Sequence, residues 1–333
     1  MRTTGAAAFF LCALAILSRP AIGQETCGPT TLGVARTTII DAVSGPHFGQ
    51  QYKSRDKKPL LANGEVVLTF DDGPSRAYTR LILEALAAQC TKATFFMVGR
   101  MAISDPEMAK EVARQGHTVA THTWSHANLQ SLPEDKAQAE IELGLSAVQQ
   151  ALGKPISPFF RFPYLRDSSV SLHHLSSRQI ATFSIDIDSR DFEIRDAAAL
   201  HARVVADVAA KRKGIILFHD IHASTARALP RILADLKAGG FRVVHLASKA
   251  GAETVAEYDA LVGQELARKR LATARNPLAK RALAWPLTGL PDTRITAKVI
   301  DNAASAAPVE PAAQPAPAAQ NKDWITDLWS RTQ

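Results

Sequence analysis

The sequence is short of three things, and each shortage excludes something. Its N-terminal apolar run, Ala6 to Leu17, is too short to cross a bilayer comfortably, because a spanning helix needs about 20 residues. No cysteine stands at a lipoprotein-like cleavage position, so nothing supports lipidation. No Gly-rich phosphate loop follows the first expected strand, which weakens a nucleotide-binding open sheet. Only three cysteines occur in 333 residues.

What is present at the N-terminus has the order of a secretory signal. Arg2 precedes the apolar run, and the small-residue stretch Ala21-Ile22-Gly23 closes it. Residues 1–23 are expected to be a signal peptide cleaved after Gly23, with an uncleaved anchor as the alternative. Cleavage removes Arg2 and Arg19 from the 39 basic residues and none of the 32 acids, leaving 37 − 32 = +5. Such a mild positive charge suits an anionic wall or membrane surface without proving either. No nucleic-acid partner is expected. Cys12 leaves with the signal. Cys27 and Cys90 remain, an even pair in an oxidising compartment. A bridge from the N-terminal arm to the end of the first helix and two buried free thiols both fit that count. The expected location is periplasmic or extracellular.

Hydrophobic residues make up 46% of the chain and charged residues 21%, a composition that supports a sizeable core. Residues 24–62 read as an irregular N-terminal arm. Seven short apolar or β-branched runs follow: 66–70, 93–98, 118–121, 159–162, 181–187, 214–218 and 241–246. Between them, apolar residues recur at three- and four-residue spacing over 76–89, 105–115, 133–152, 197–211 and 224–238. Pro106 and Pro133 fall near helix starts, where a missing N–H costs nothing. Alternation of this kind implies a parallel sheet with helical crossovers. An open doubly wound sheet competes with a closed barrel, and the placement of polar residues favours the latter. The expected fold is therefore an α/β, irregular (β/α) barrel of about seven parallel strands over residues 63–248. A basic C-terminal extension follows over 249–302. It carries Arg268, Lys269, Arg270, Arg275, Lys280 and Arg281 with no acid among them. The preferred reading is a solvated helix face; contact with an anionic polymer or lipid surface is the sharper one. Residues 303–333 read as an Ala/Pro-rich flexible linker ending in a tail with Trp324 and Trp329.

Polar residues gather at the C-terminal ends of the expected strands: Asp71-Asp72-Gly73-Pro74, His122-Thr123-Trp124-Ser125-His126, Arg161-Phe162-Pro163-Tyr164, the group Asp186, Asp188 and Asp191, and His219-Asp220. In parallel α/β folds those ends face one crevice. The His122–His126 spacing sets two imidazoles on one side of a turn, but alone it is a weak signal. Adding a carboxylate from a neighbouring strand end gives a familiar hydrolytic metal-ligand set, with Asp72, His122 and His126 as ligands. Asp71 then serves as a base, or else Asp71-Asp72-Gly73-Pro74 is an Asp turn; both readings can hold together.

Five segments in this order resemble the five motifs of the polysaccharide deacetylases, carbohydrate esterase family four: 69–74, 122–126, 161–164, 188–192 and 217–219. The resemblance implies one divalent ion, zinc first, with cobalt, nickel and iron compatible, held by Asp72, His122 and His126. It implies Asp71 as general base, oriented and kept ionised by Arg161. It implies the backbone N–H of Tyr164 as oxyanion donor, and His219 as general acid with its pKa raised by Asp191. Phe192 and Leu217 would line an acetyl-methyl pocket. Phe192 stands where the family often has Trp, which bears on substrate preference. His117 and His222 flank the motifs and are expected to be structural. The implied function is N-deacetylation of an N-acetylhexosamine glycan: peptidoglycan, chitooligosaccharide or exopolysaccharide. The alternatives are O-deacetylation of a polysaccharide such as xylan and a non-catalytic glycan-binding protein. Oligomeric state is not readable.

Overall fold

Ten parallel-paired strands and eight α-helices are present in the computed structural model, which describes residues 27–52 and 59–275, with side chains through Leu271 in the last helix. The expected signal segment 1–23, the basic residues Lys280 and Arg281, the Ala/Pro-rich stretch and the Trp tail lie outside the described residues.

In chain order the strands are β1 (Arg36–Ile40), β2 (His47–Phe48), β3 (Glu65–Asp71), β4 (Thr94–Met97), β5 (Thr118–Thr121), β6 (Phe159–Phe160), β7 (Ala181–Phe183), β8 (Ile187–Asp188), β9 (Gly214–His219) and β10 (Arg242–Ser248). Hydrogen bonds run from β3 through β4, β5 and β6 to β7, and from β8 through β9 back to β3. Since β7 and β8 are two pieces of one extended segment, the ring closes through the chain itself. The result is the barrel-like α/β fold expected from the alternation. The single run expected over 181–187 is split: β7 pairs with β6 on one side, and three residues later β8 pairs with β9 on the other. Outside the ring, β10 pairs with the start of β3, β1 with β10, and β2 with β7. The arm that reads as irregular thus supplies two edge strands.

Side-chain alternation places the site. All seven residues of β3 are buried, as expected of a parallel strand covered on both faces. Val66, Leu68 and Phe70 belong to the larger core under the helices. Val67 belongs to a second cluster with Phe96, Ala120, Phe159, Ala181, Phe183 and Ile215, the barrel interior. With period two, Thr69 and Asp71 continue the Val67 face upward. The interior is therefore apolar below and polar at its C-terminal mouth.

The helices are α1 (Arg76–Ala88), α2 (Gly99–Ser104), α3 (Pro106–Arg114), α4 (Glu134–Leu152), α5 (Ser169–Ser177), α6 (Ala197–Lys211), α7 (Ala223–Ala238) and α8 (Ala256–Arg275). Pro106 is at the first position of α3, and the Asp105 side chain caps it by accepting from Met108 N–H. Helix α8 extends the fold beyond the boundary expected at 248: Val262 and Leu266 join the larger core, and Ser146 Oγ of α4 donates to Asp259 Oδ1 at 2.6 Å. Arg268 pairs with Glu265 at 2.6 Å and Lys269 donates to Ser104 Oγ at 3.0 Å, which agrees with the helix-face reading of that part of the basic stretch.

Cys27 and Cys90 form a disulfide, with Cα atoms 5.7 Å apart and a sequence separation of 63. It ties the arm to the end of α1, where Gly33 N–H donates to Gln89 O at 2.8 Å. Closing a loop of that length stabilises the fold by about 4 kcal/mol in the chain-entropy picture. Cys27→Ser is expected to lower the urea midpoint substantially, and reductant is expected to have the same effect on the native chain. Equal midpoints for oxidised, reduced and substituted protein would rule the contribution out.

Candidate metal centre

The mouth of the barrel brings the strand-end residues together. Asp71, last in β3, is in register with His219, last in β9, and with Phe96 of β4. Asp72 leaves the strand with φ 75°. Asp72 Oδ1 lies 3.5 Å from His122 Nε2 and 3.2 Å from His126 Nε2. The ligand atoms of these three residues all fall within 4.8 Å of one another.

A divalent cation fits this donor set. Asp72 Oδ1 is buried without a hydrogen-bond partner, an arrangement that costs free energy unless something electropositive meets it. His122 Nδ1 sits 2.7 Å from the Arg161 carbonyl. Donation there leaves the Nε2 lone pair facing Asp72, the usual outer support of a metal-binding imidazole. Burial holds His122 well below its ordinary pKa and also lowers that of His126, so both present neutral rings.

On one side of the donors stands Asp71, 2% exposed. Its Oδ1 accepts from Arg161 Nη1 at 2.8 Å, while Oδ2 lies 3.9 Å from His122 Nε2. Burial raises Asp71 to about 6, even though the Arg161 and His219 charges pull it down. A cation at Asp72 would favour the carboxylate further. Arg161 is fully buried. Its other contacts are Thr69 Oγ1 at 2.8 Å and the Phe183 and Ser184 carbonyls, both at 3.3 Å. Its guanidinium carbon lies 4.3 Å from the Phe96 ring centre. A charge this deep is tolerable only with its counter-charge and acceptors in place.

On the other side stands His219. Its Nδ1 is 2.6 Å from Asp191 Oδ1. Asp191 Oδ2 accepts from His219 N–H at 2.7 Å and from Thr225 Oγ1 at 2.5 Å. Burial opposes the charged ring, but the Asp191 hydrogen bond and the charges of Asp191, Asp72 and Asp71 outweigh it and raise His219 to about 9. Of the carboxylates in the fourth segment only Asp191 does this. Asp186 accepts from Ile215 N–H at 2.8 Å and Asp188 from Arg190 N–H at 2.9 Å, which are turn and strand-start contacts. Leu217 is 5% exposed and lies two residues before His219 on the same strand face. Phe192 is 42% exposed, its ring 5.9 Å from that of His219. Tyr164 takes φ 59°, uncommon for a bulky residue, and its ring lies 4.7 Å from that of His126.

His117 accepts from Ala93 N–H at 3.2 Å and packs on Phe95, a structural place. His222 precedes α7, its ring 5.7 Å from that of His219. Reading along the chain assigns no role to Thr69 and Asp220, although both stand in the motifs and polar clusters, and gives no sign of Thr225. Thr79 Oγ1 donates to Asp220 Oδ2 at 2.5 Å. A Cβ on Gly73 would fall 2.1 Å from that oxygen, so only glycine lets the Asp72 turn rest there. Asp220 directly follows His219, the single sequence hint of its place.

The protein is thus a parallel α/β barrel with three candidate metal ligands at its mouth. The polysaccharide deacetylase family model matches residues 61–182. The chain is 29% identical over 216 residues, 65% of its length, to a peptidoglycan-N-acetylglucosamine deacetylase of Listeria monocytogenes, and spans 45% of that protein, about half its length. It is 30% identical over 194 residues, 53% of its length, to a chitooligosaccharide deacetylase of Azorhizobium caulinodans, and spans 90% of that one. A solved peptidoglycan deacetylase of Bdellovibrio bacteriovorus superposes with TM-score 0.60 at 34% identity, covering 66% of this chain and 61% of the other. The chain belongs to the polysaccharide deacetylase family. Asp191 and His219 lie beyond the residues the family model matches, and the hydrogen bonds above tie them to the same site.

Proposed function

We propose that this protein is a metal-dependent N-deacetylase of an N-acetylhexosamine glycan, acting outside the cytoplasm. The observation that carries the reading is the placement of the Asp72–His122–His126 donors between a buried carboxylate, Asp71, and a carboxylate-paired imidazole, His219. Zinc is the first expectation for the ion. A divalent ion held there would supply a Lewis acid to water and to the acetyl carbonyl.

The chain's own residues supply the rest. Asp71 Oδ2 is the oxygen left free by Arg161, and it takes a proton from the attacking water. Arg161 fixes the carboxylate's angle and favours its charged form. The Tyr164 N–H meets the negative charge that develops on the acetyl oxygen. His219 delivers a proton to the departing nitrogen, which is a poor leaving group without one. Asp191 holds His219 by Nδ1, so that Nε2 carries the transferable proton. Leu217 and Phe192 border the methyl group. The Arg2-led apolar segment and the Cys27–Cys90 bridge support export.

Acetate release from peptidoglycan, chitooligosaccharides and an N-acetylated exopolysaccharide tests this directly, with bound metal measured in the same samples. At least one glycan is expected to release acetate, chelator to stop it, and added zinc or cobalt to restore it. Folded, metal-loaded protein that releases none from any of them contradicts the proposal.

A further inference from the structure

The turn that carries both imidazoles has no regular structure of its own. It lies between β5 and α4, and two of its residues take left-handed backbone angles, Thr123 at φ 68° and His126 at φ 63°. Such angles persist only where the surroundings over-determine them. Three sets of contacts hold this turn. His126 N–H donates to Thr123 Oγ1 at 3.0 Å. Gly99 and Arg100 N–H, at the start of α2, donate to the Thr123 and Trp124 carbonyls, both at 2.9 Å. The third set comes from Glu140, nearly two turns into α4.

Glu140 is 3% exposed; among the described residues no salt bridge to it is present, and the nearby Arg100 charge favours its carboxylate. Both carboxylate oxygens are taken up by one residue: Oε2 accepts from Ser125 N–H at 2.9 Å and Oε1 from Ser125 Oγ at 2.7 Å. Its own carbonyl accepts from Trp124 N–H at 2.8 Å. One helical turn further, Gly144 lets α4 press against the same loop: a Cβ there would fall 2.6 Å from the Thr123 carbonyl carbon. A buried carboxylate satisfied mainly by one residue, Ser125, with smaller help from the Trp124 N–H and the Arg100 charge, is costly to keep as mere filler, because an apolar side chain would avoid the desolvation. Ser125, the residue it grips, directly precedes His126.

We propose that Glu140 is a positioning residue for the metal centre: by gripping Ser125 from both oxygens it sets the angle at which His126 faces Asp72 and His122. This rests on the metal-binding reading of the site. Glu140 acts through hydrogen bonds rather than through its charge. Glutamine can therefore replace it, with the amide oxygen accepting from Ser125 N–H and the amide nitrogen donating to Ser125 Oγ.

The test is metal affinity of the full chain, measured by chelator competition with zinc and by the visible absorption of the cobalt form, below the melting temperature of each variant. Glu140→Ala is expected to weaken affinity about 10–100-fold, the usual effect of losing an outer hydrogen-bond partner, and to alter the cobalt spectrum. Glu140→Gln is expected to stay within about threefold of the native protein, since it keeps both hydrogen bonds. A purely structural role would lower the melting temperature of Glu140→Ala and leave affinity and spectrum of the folded protein unchanged; that result overturns the proposal. So does Glu140→Gln binding as weakly as Glu140→Ala. Should Glu140→Ala not fold, Ser125→Ala decides: weakened affinity supports the proposal and native affinity overturns it. Native protein that binds no divalent ion overturns the metal reading itself; native binding with unchanged Glu140→Ala affinity overturns this inference alone.

Discussion

Asp71→Asn is expected to lower kcat by about 10²–10⁴-fold, the span associated with losing a positioned base, while the protein still binds its ion. The two effects separate because of geometry. Asp71 and Asp72 are neighbours in sequence but have different partners: Asp72 Oδ1 faces both imidazoles after a left-handed φ, and Asp71 is held on the interior face of β3 by Arg161. Asparagine keeps the shape and one acceptor for Arg161 Nη1. It leaves a fully buried guanidinium without its counter-charge, so stability falls as well, by about 1–3 kcal/mol. The measurement is kcat on an acetylated glycan beside metal content and melting temperature. Lost metal with lost activity would place Asp71 among the ligands instead, and full activity would remove it from the mechanism. If the proposed activity holds, the acid limb of the native protein's rate profile should lie at or below about 6, the value burial gives Asp71 without a cation beside it. Activity is then lost as pH falls through that limb.

His219→Ala is expected to divide amide from ester substrates. An amine leaves only with a proton, whereas an aryl acetate leaves without one. Amide hydrolysis should fall about 10²–10⁴-fold and aryl acetate hydrolysis by far less. The fold should survive, because Asp191 keeps the residue-219 N–H and Thr225 Oγ1 as donors. An equal fall on both bonds would contradict the acid role and return O-deacetylation to contention. In the proposed mechanism protonated His219 is the active form. Its raised pKa, about 9, puts the basic limb at or below that value, since a nearby cation disfavours the imidazolium.

Much of this was legible before any coordinates. The ligands and the acid–base residues all punctuate apolar runs, and a parallel barrel sends the ends of those runs to one mouth. Helix 197–211 and strand 118–121 fall where spacing puts them. What escaped had physical causes. β1 and β2 are short edge strands of mixed polarity, so neither shows a clear period. The run 181–187 reads as one strand because its residues are mostly apolar or β-branched; the structure divides it at 184–186, where the partner changes from β6 to β9. Helix α2 is six residues long, less than two turns, and its Gly99 start gives no cap signal. Glu140 escaped for another reason, as did the contacts of Asp220, which the sequence shows only as a polar residue beside His219. A buried carboxylate is defined by what it touches, and Ser125 lies 15 residues from Glu140 in the chain.

The central claim is that one ion sits among Asp72, His122 and His126, and anomalous diffraction from zinc-loaded crystals at the zinc edge tests it most directly. A single strong peak within bonding reach of Asp72 Oδ1, His122 Nε2 and His126 Nε2 is the expected result. A peak instead among Asp191, His219 and His222, whose candidate ligand atoms also lie within 4.8 Å of one another, or none at the Asp72 site, would contradict it.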